Sequence, residues 1–456
     1  MNSVLRLLPT LVALALTACG GDSHDSATPT PTPAVNATPA PGAASYKVGG
    51  TVSGLVAGTQ VTLLNNGGDA LPVSTNGTFL FATGVTSGSG YTVTVGTQPK
   101  GQACAVVSGA GTVAASDITG ISVTCTRVSY AYVANSDDDT VSQYIIGSDG
   151  SLTPMSVPTV PTGAMPYSVT VDPSGQHAYV ANLHANTVSQ YNIGSDGALS
   201  PMSPSTVSAG SYPYSITIDP SGKYAYVANS VGMAVSQFTI GSNGSLAPMT
   251  PTSVTAGLTP FGVAVDPSGK YAYVVNYDGN TVMQYAIGSG GALTSVATVN
   301  VGTPYALAID PSGKFAYATN LQNNTISQFT IGSGGLLVPM ATPTVAAGSS
   351  PYGIVVDASG KHAYAVNYGG GGISQYAIAG DGSLAPLSTP TVGAGQNPAN
   401  LRFDPSGKYA YVVNISSNTV SQYTTGSDGA LIPMSAPSVG AGHGPFSIAT
   451  VYAATH

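Results

Sequence analysis

Charge is scarce in this 456-residue chain, so the few side chains able to do acid–base or anion chemistry stand out. All 18 acidic residues are Asp, Lys and Arg together number 10, and there are 6 His. Arg402 is the only arginine after Arg127, and it occupies a slot held by Thr170, Thr217, Ala264, Ala308 and Val355 in segments of the same design. Beside it Ala399 and Asn400 replace the usual aromatic and small residue, and Gln396 and Asn397 come just before. A guanidinium so placed either holds a ligand's carboxylate or phosphate or pairs with an Asp. His443 precedes the next such segment, and the same repeat unit carries Asp137, Asp138 and Asp139; His184 lies in the matching loop one unit on. These two His are exposed loop residues unless one of them stands near Arg402, where a neutral imidazole could serve as general base. The three Asp residues read as a solvated loop or as calcium ligands, and no further carboxylate spacing supports the metal. No cofactor is expected.

Those residues must be positioned by strands. A Tyr-rich pentad ending in Asn recurs at Asn135, Asn182, Asn229, Asn276, Asn320, Asn367 and Asn414, spaced by 47, 47, 47, 44, 47 and 47 residues. A fixed period of that length built from short strands marks the blades of a β-propeller. In each unit Pro-x-x-Val opens the first strand, Asp-Pro-Ser-Gly turns into the second, and Gly-Ser-Asp-Gly or a variant joins the third to the fourth. The loops before the opening strand and after the Asn share one rim, where Asn397, His184 and His443 fall. Lys223, Lys270, Lys314, Lys361 and Lys408 all follow Ser-Gly and are solvated turn residues. His177 and His362 replace the Tyr at the position of Tyr224 and are structural.

The ends of the array predict how it closes. The first unit lacks its opening strand, and the segment from Pro445 to Val451 is an opening strand with nothing after it. The fold class is therefore all-β: a seven-bladed propeller over residues 127–456, with the C-terminal strand completing the first blade and removing the edges of a linear array.

Residues 46–126 differ in texture. Short alternating strands separated by Gly and Asn-Gly turns predict a small, Ig-like β-sandwich, with Cys104 and Cys125 disulfide-bonded in an exported protein. Residues 1–18 carry Arg6 and an apolar run from Leu7 to Leu16, a secretory signal too short to span a membrane. Residues 19–45 hold a Pro/Thr/Ala-rich tether, expected to be extended. A net charge of −8 without a basic stripe argues against nucleic acid.

Two resemblances add to this reading. Leu16-Thr17-Ala18-Cys19 resembles a bacterial lipobox, which implies lipidation of Cys19 and attachment to the cell envelope. Gly20 after the Cys implies sorting to the outer membrane. The run Asp219-Pro220-Ser221-Gly222-Lys223-Tyr224-Ala225-Tyr226-Val227-Ala228-Asn229, with Asn186-Thr187-Val188-Ser189-Gln190-Tyr191 as the third strand of its neighbour, resembles the seven-bladed lactonase-type propeller family, which includes 6-phosphogluconolactonase-like proteins. That resemblance covers the whole propeller. It implies lactone chemistry drawn from His, Glu and Arg around the channel, and this chain contains no Glu. The expectation is an envelope-anchored protein that binds a small ligand, or a protein or carbohydrate partner, at the channel rim without catalysis. The alternative is an extracytoplasmic lactonase with Arg402 as anion clamp and His443 as base.

Overall fold

The computed structural model describes residues 44–455; Cys19 and the segments on either side of it lie outside the described residues. Among the described residues regular structure is all strand except one 3-10 turn at Ser333–Gly335.

The first strands form two four-stranded sheets. One is ordered Gly77–Leu80, Val48–Ser53, Ile118–Arg127, Gln102–Val107, and the other Asp69–Val73, Val61–Asn65, Gly90–Thr97, Ala110–Thr112. Their period-2 patterning turns Val48, Val52, Val61, Leu63, Phe79, Val93, Ile121 and Val123 into one shared core. Cys104 and Cys125 face each other on neighbouring strands and are joined by a disulfide. Strand Ile118–Arg127 runs into Ser129–Asn135 with only Val128 between them. Arg127 thus ends the last of these strands instead of opening the repeat.

Seven four-stranded antiparallel sheets follow. Six are continuous in sequence, opening with Pro166–Val171, Pro213–Ile218, Pro260–Val265, Pro304–Ile309, Pro351–Val356 and Pro398–Phe403. The remaining sheet is composite: Pro445–Tyr452 pairs antiparallel with Ser129–Asn135, setting Tyr132 opposite Ala449 and Val133 opposite Ile448. We number the blades from this composite one, so that Arg402 lies in blade 7.

Local chemistry explains why each sheet forms. Asp219 is buried at the first turn, where its Oδ1 accepts from the backbone N–H groups of Lys223 and Tyr224, both at 2.8 Å. Gly222 takes φ +70° there, a conformation that favours glycine. The pentad asparagine is a structural pin: Asn182 is fully buried and donates Nδ2 to Ser189 Oγ at 2.9 Å, and Asn229 does the same to Ser236.

The blades are held to one another by two repeated hydrogen bonds. Tyr132, Tyr179, Tyr226, Tyr273, Tyr317 and Tyr364 each donate a buried hydroxyl to a turn glycine carbonyl of the following blade, and Tyr411 of blade 7 does so to Gly150 of blade 1 at 2.7 Å. Gln143 Oε1 accepts from Leu199 N of the next blade at 2.6 Å while its Nε2 donates to Val157 O of its own. Gln422 Oε1 repeats this across the seam, accepting from Leu152 N at 2.6 Å. Apolar layers lie between these latches; one packs Tyr132, Ala134 and Val141 of blade 1 against Ala178, Val180 and Tyr191 of blade 2.

The seam latch is directly testable. Gln422→Ala would leave the buried Leu152 N–H without its acceptor, so unfolding stability in urea is expected to fall by about 1–3 kcal/mol. An unchanged midpoint would show that this contact contributes nothing to stability.

Candidate functional site

The opening strands stand side by side around a central channel, and their alternation decides what lines it. The residue after each Pro is Tyr167, Tyr214, Phe261, Tyr305, Tyr352, Ala399 or Phe446, so six of the seven are aromatic. These rings gather at the rim end. Tyr167 stacks on Phe446 with centroids 3.9 Å apart, Tyr214 on Phe261 at 4.3 Å, and Tyr305 packs on Tyr352 at 3.7 Å. The Tyr214 hydroxyl meets that of Tyr305 and lies 3.2 Å from that of Tyr352, three blades away. Side chains therefore touch across the axis and plug the channel at its rim. Burial holds Tyr352 up at about 12 and raises Tyr214 and Tyr305 well above the ordinary phenol value, so all three are neutral phenols near pH 7.

Beyond the plug lies a lumen of about 360 Å³, reaching along the strands to Val265, Ile309 and Val356. Among the described residues Arg402 is the one Lys or Arg lining it, and no carboxylate or imidazole lines it. Four residues on from Pro398, Arg402 stands about 13 Å along the strand at ~3.3 Å per residue, on the far side of the plug from the rim. Its side chain is exposed to the lumen while strands wall the lumen on all sides, so desolvation lowers the guanidinium below its usual range. It remains charged at neutral pH. Among the described residues it has no Asp partner, which sets aside the simple ion-pair reading of this residue there. Asn400, on the same strand and lining the same lumen, keeps a buried Oδ1 without a hydrogen-bond partner.

The other sequence candidates are elsewhere. Leu183 N donates to Met165 O, and Ser136 N to Gly444 O, so the two sets of loops do share one rim. His443 lies there with a 70% exposed side chain, its Nδ1 2.8 Å from Asp138 Oδ1 and its N–H donated to Asp138 Oδ2 at 2.6 Å. The hydrogen bond to Asp138 and its negative charge raise the His443 pKa above the ordinary 6.5, and the same bonds lower that of Asp138. His443 and Arg402 therefore lie at opposite ends of an opening strand, on the order of 15 Å apart and outside hydrogen-bond reach. The structure does not assemble the clamp-and-base pair considered from sequence.

Each remaining rim residue has a local task. Asp139 Oδ1 accepts from Met165 N at 2.7 Å, Asp137 Oδ1 from Ser136 Oγ, and Asn397 ties Ser416 Oγ to the Tyr368 carbonyl. His184 packs edge-on against Tyr212. Among the described residues no group of three or more His, Cys, Asp or Glu could hold a metal ion, so Asp137, Asp138 and Asp139 do not converge as calcium ligands. His177 and His362 bond to Asp172 and Asp357 within their turns. What the sequence reading passed over is the plug, although the aromatic residue after six of the seven prolines was its signal.

The profile of the lactonase seven-bladed β-propeller matches residues 59–342 and 284–449. The chain belongs to this family. Solved structures similar to this lactonase-family propeller include a proposed 6-phosphogluconolactonase of Bacteroides fragilis, at 21% identity and TM-score 0.63 over 71% of this chain and 98% of that one. Another is a periplasmic gluconolactonase of Pseudomonas aeruginosa, at 18% identity and TM-score 0.62 over 72% of this chain and 99% of that one. At such identities the likeness is one of fold. A search of curated proteins finds no match.

The His443–Asp138 pair gives a pH prediction with a definite sign. Its contribution is fully present below the free imidazole value of about 6.5 and fades as pH rises through the raised folded value. It fades again in acid, as pH falls through the lowered value of Asp138. An NMR titration is expected to place His443 above 6.5, and Asp138→Asn is expected to return it toward 6.5. A wild-type His443 titrating at or below 6.5 would show that the pair does not form.

Proposed function

We propose that this lactonase-family propeller binds a small anionic ligand of the sugar-acid class inside its channel, without turning it over. The observation that carries the reading is Arg402: a guanidinium without a carboxylate partner among the described residues, facing a walled lumen of about 360 Å³. A carboxylate or phosphate there would form charge-assisted hydrogen bonds. Asn400 is the nearest candidate for a ligand hydroxyl, and Ser168, Ser215 and Thr217 add hydroxyls along the wall. The volume falls in the range of small-molecule sites. On this reading the ligand lies in the lumen and not on the rim, where the sequence reading put it, and enters from the end where the Asp-Pro-Ser-Gly turns lie, since the aromatic plug occupies the other.

Absence of turnover is proposed on the make-up of the lumen. Opening a lactone takes a general base for water and a stabiliser for the oxyanion. Arg402 would serve as stabiliser, but the lining phenols are neutral near pH 7 and are poor bases there. A second reading, an extracytoplasmic lactonase, draws on the family and on the name of the Pseudomonas aeruginosa protein. We also propose that the chain is held at the bacterial envelope, on the outer membrane, through a lipid on Cys19, with the disulfide-bonded sandwich as an Ig-like spacer.

Titration calorimetry with gluconate and 6-phosphogluconate is expected to show saturable binding that Arg402→Gln weakens by about 2 kcal/mol, roughly 30-fold. Hydrolysis of glucono-δ-lactone that is lost in Arg402→Gln would replace binding by catalysis as the function. Cys19→Ser is expected to move the protein from the membrane fraction to the soluble one. Unchanged partitioning would refute the lipid anchor.

A further inference from the structure

A second cavity lies where the disulfide-bonded sheets meet the propeller. It measures about 660 Å³, and its walls come from five stretches of the chain. Ala103, Ala105, Thr124 and Thr126 form the sandwich side, Ile145, Ile146 and Gly147 come from blade 1, Lys408 and Tyr409 from blade 7, and Tyr452 from the composite blade's closing strand.

This junction is built as one piece. Val128 N donates to Gly101 O at 3.0 Å and Ala453 N to Val128 O at 2.8 Å, tying the last sandwich strand to the chain's final strand. Gly101 lies so close to this strand that an added Cβ would sit 2.7 Å from the Ala454 carbonyl. Tyr409 donates its hydroxyl to Ser148 O at 3.0 Å, pinning blade 7 to blade 1 beside the cavity. The cleft is therefore held open by fixed walls, which suits a site that is largely pre-formed.

Its chemistry is amphipathic and cationic. Arg127 lies over the Tyr452 ring with its Cζ 4.2 Å from the centroid, and Nη2 reaches the Ala453 carbonyl at 3.4 Å. Among the described residues it has no carboxylate partner, and neither has Lys408, an exposed residue of the same lining. The one Asp in the lining, Asp404, is buried and already committed to its turn, accepting from Tyr409 N at 2.8 Å and Ser406 N at 2.9 Å. Two of the chain's 10 basic residues thus share one cleft with no free carboxylate among its described lining residues, in a chain of net charge −8. Between them lie alanines, Ile145 and the faces of Tyr409 and Tyr452.

We propose that this cleft is a binding site for a small amphipathic anion: a compact apolar or aromatic body bearing one carboxylate or sulfonate. The body would rest on the tyrosine faces and the aliphatic floor, and the anionic group would lie between Arg127 and Lys408. The site is independent of the channel, since none of its lining residues borders the lumen.

The test uses the full chain and two probes matched in shape, 2-naphthoate and uncharged 2-naphthalenemethanol, in titration calorimetry. Naphthoate is expected to bind at one saturable site, at least tenfold more tightly than the alcohol. The double variant Arg127→Gln/Lys408→Gln should remove that tenfold advantage, and Ala105→Trp, which fills the cleft, should abolish binding of both probes. Lys270→Gln, the matching turn lysine of blade 4, should leave binding unchanged. A thermal melt of each variant separates lost binding from lost folding. Three results would overturn the site: no saturable naphthoate binding, equal affinity for the two probes, or wild-type affinity in both the double variant and Ala105→Trp. Naphthoate binding lost in Arg402→Gln and retained in the double variant would move the anion to the channel and overturn it as well.

Discussion

The structure depends on a hydrogen bond repeated around the propeller: a buried tyrosine hydroxyl given to a turn carbonyl of the next blade. A four-stranded sheet cannot bury both of its faces alone, so each blade is stable only against its neighbours. Apolar layers supply most of the driving force, but they are non-directional. The tyrosine–glycine and glutamine–leucine bonds add direction, because a buried donor left unpaired costs free energy comparable to a lost bond. Sliding one blade on the next would break both at once. The latch also explains an apparent irregularity of the repeat. The residue opening each second strand lies against the same turn glycine, and at Gly244 and Gly429 the ring in that place is His177 or His362. An imidazole fills it because its flat face packs there while its Nδ1 bonds to the turn aspartate.

A scaffold so uniform leaves function to its departures. Around the lumen the repeat supplies small and neutral side chains, and a single substitution in blade 7 introduces the one guanidinium that lines it among the described residues. Its neighbour Ala399 is also the one residue in the plug position that is not aromatic. Blade 7 is thus where the ring of aromatics is interrupted and where charge enters the channel. The same blade contributes Lys408 and Tyr409 to the cleft beside the sandwich, so both proposed anion sites border the seam between the last blade and the first.

Membership of the lactonase family sets the fold and leaves the chemistry to be argued from the residues present. The chain contains no Glu, and its lumen is lined by neutral phenols and one guanidinium; these residues are the ground on which anion binding is proposed ahead of proton transfer. The rim imidazole that could have supplied a base is committed to Asp138 and exposed on the far side of the plug.

Strand order, blade number and turn chemistry could be read from the sequence because each rests on local rules repeated from blade to blade: period-2 alternation, Asp-Pro-Ser-Gly or Asp-Ala-Ser-Gly turns and an interval of 47 or 44 residues. The unusual character of Arg402 was visible for the same reason, since a repeat makes its own exceptions plain. What the sequence could not settle was which exceptions face one another. Arg402 and His443 lie 41 residues apart on successive opening segments, yet strand rise along the channel puts the plug between them. The tyrosines of the plug come from blades that never pair, and the cleft joins residues 103 and 452, which only folding brings together. Period and turn are local properties of the chain; an enclosed volume is a property of the walls around it, and these walls exist only in the tertiary structure.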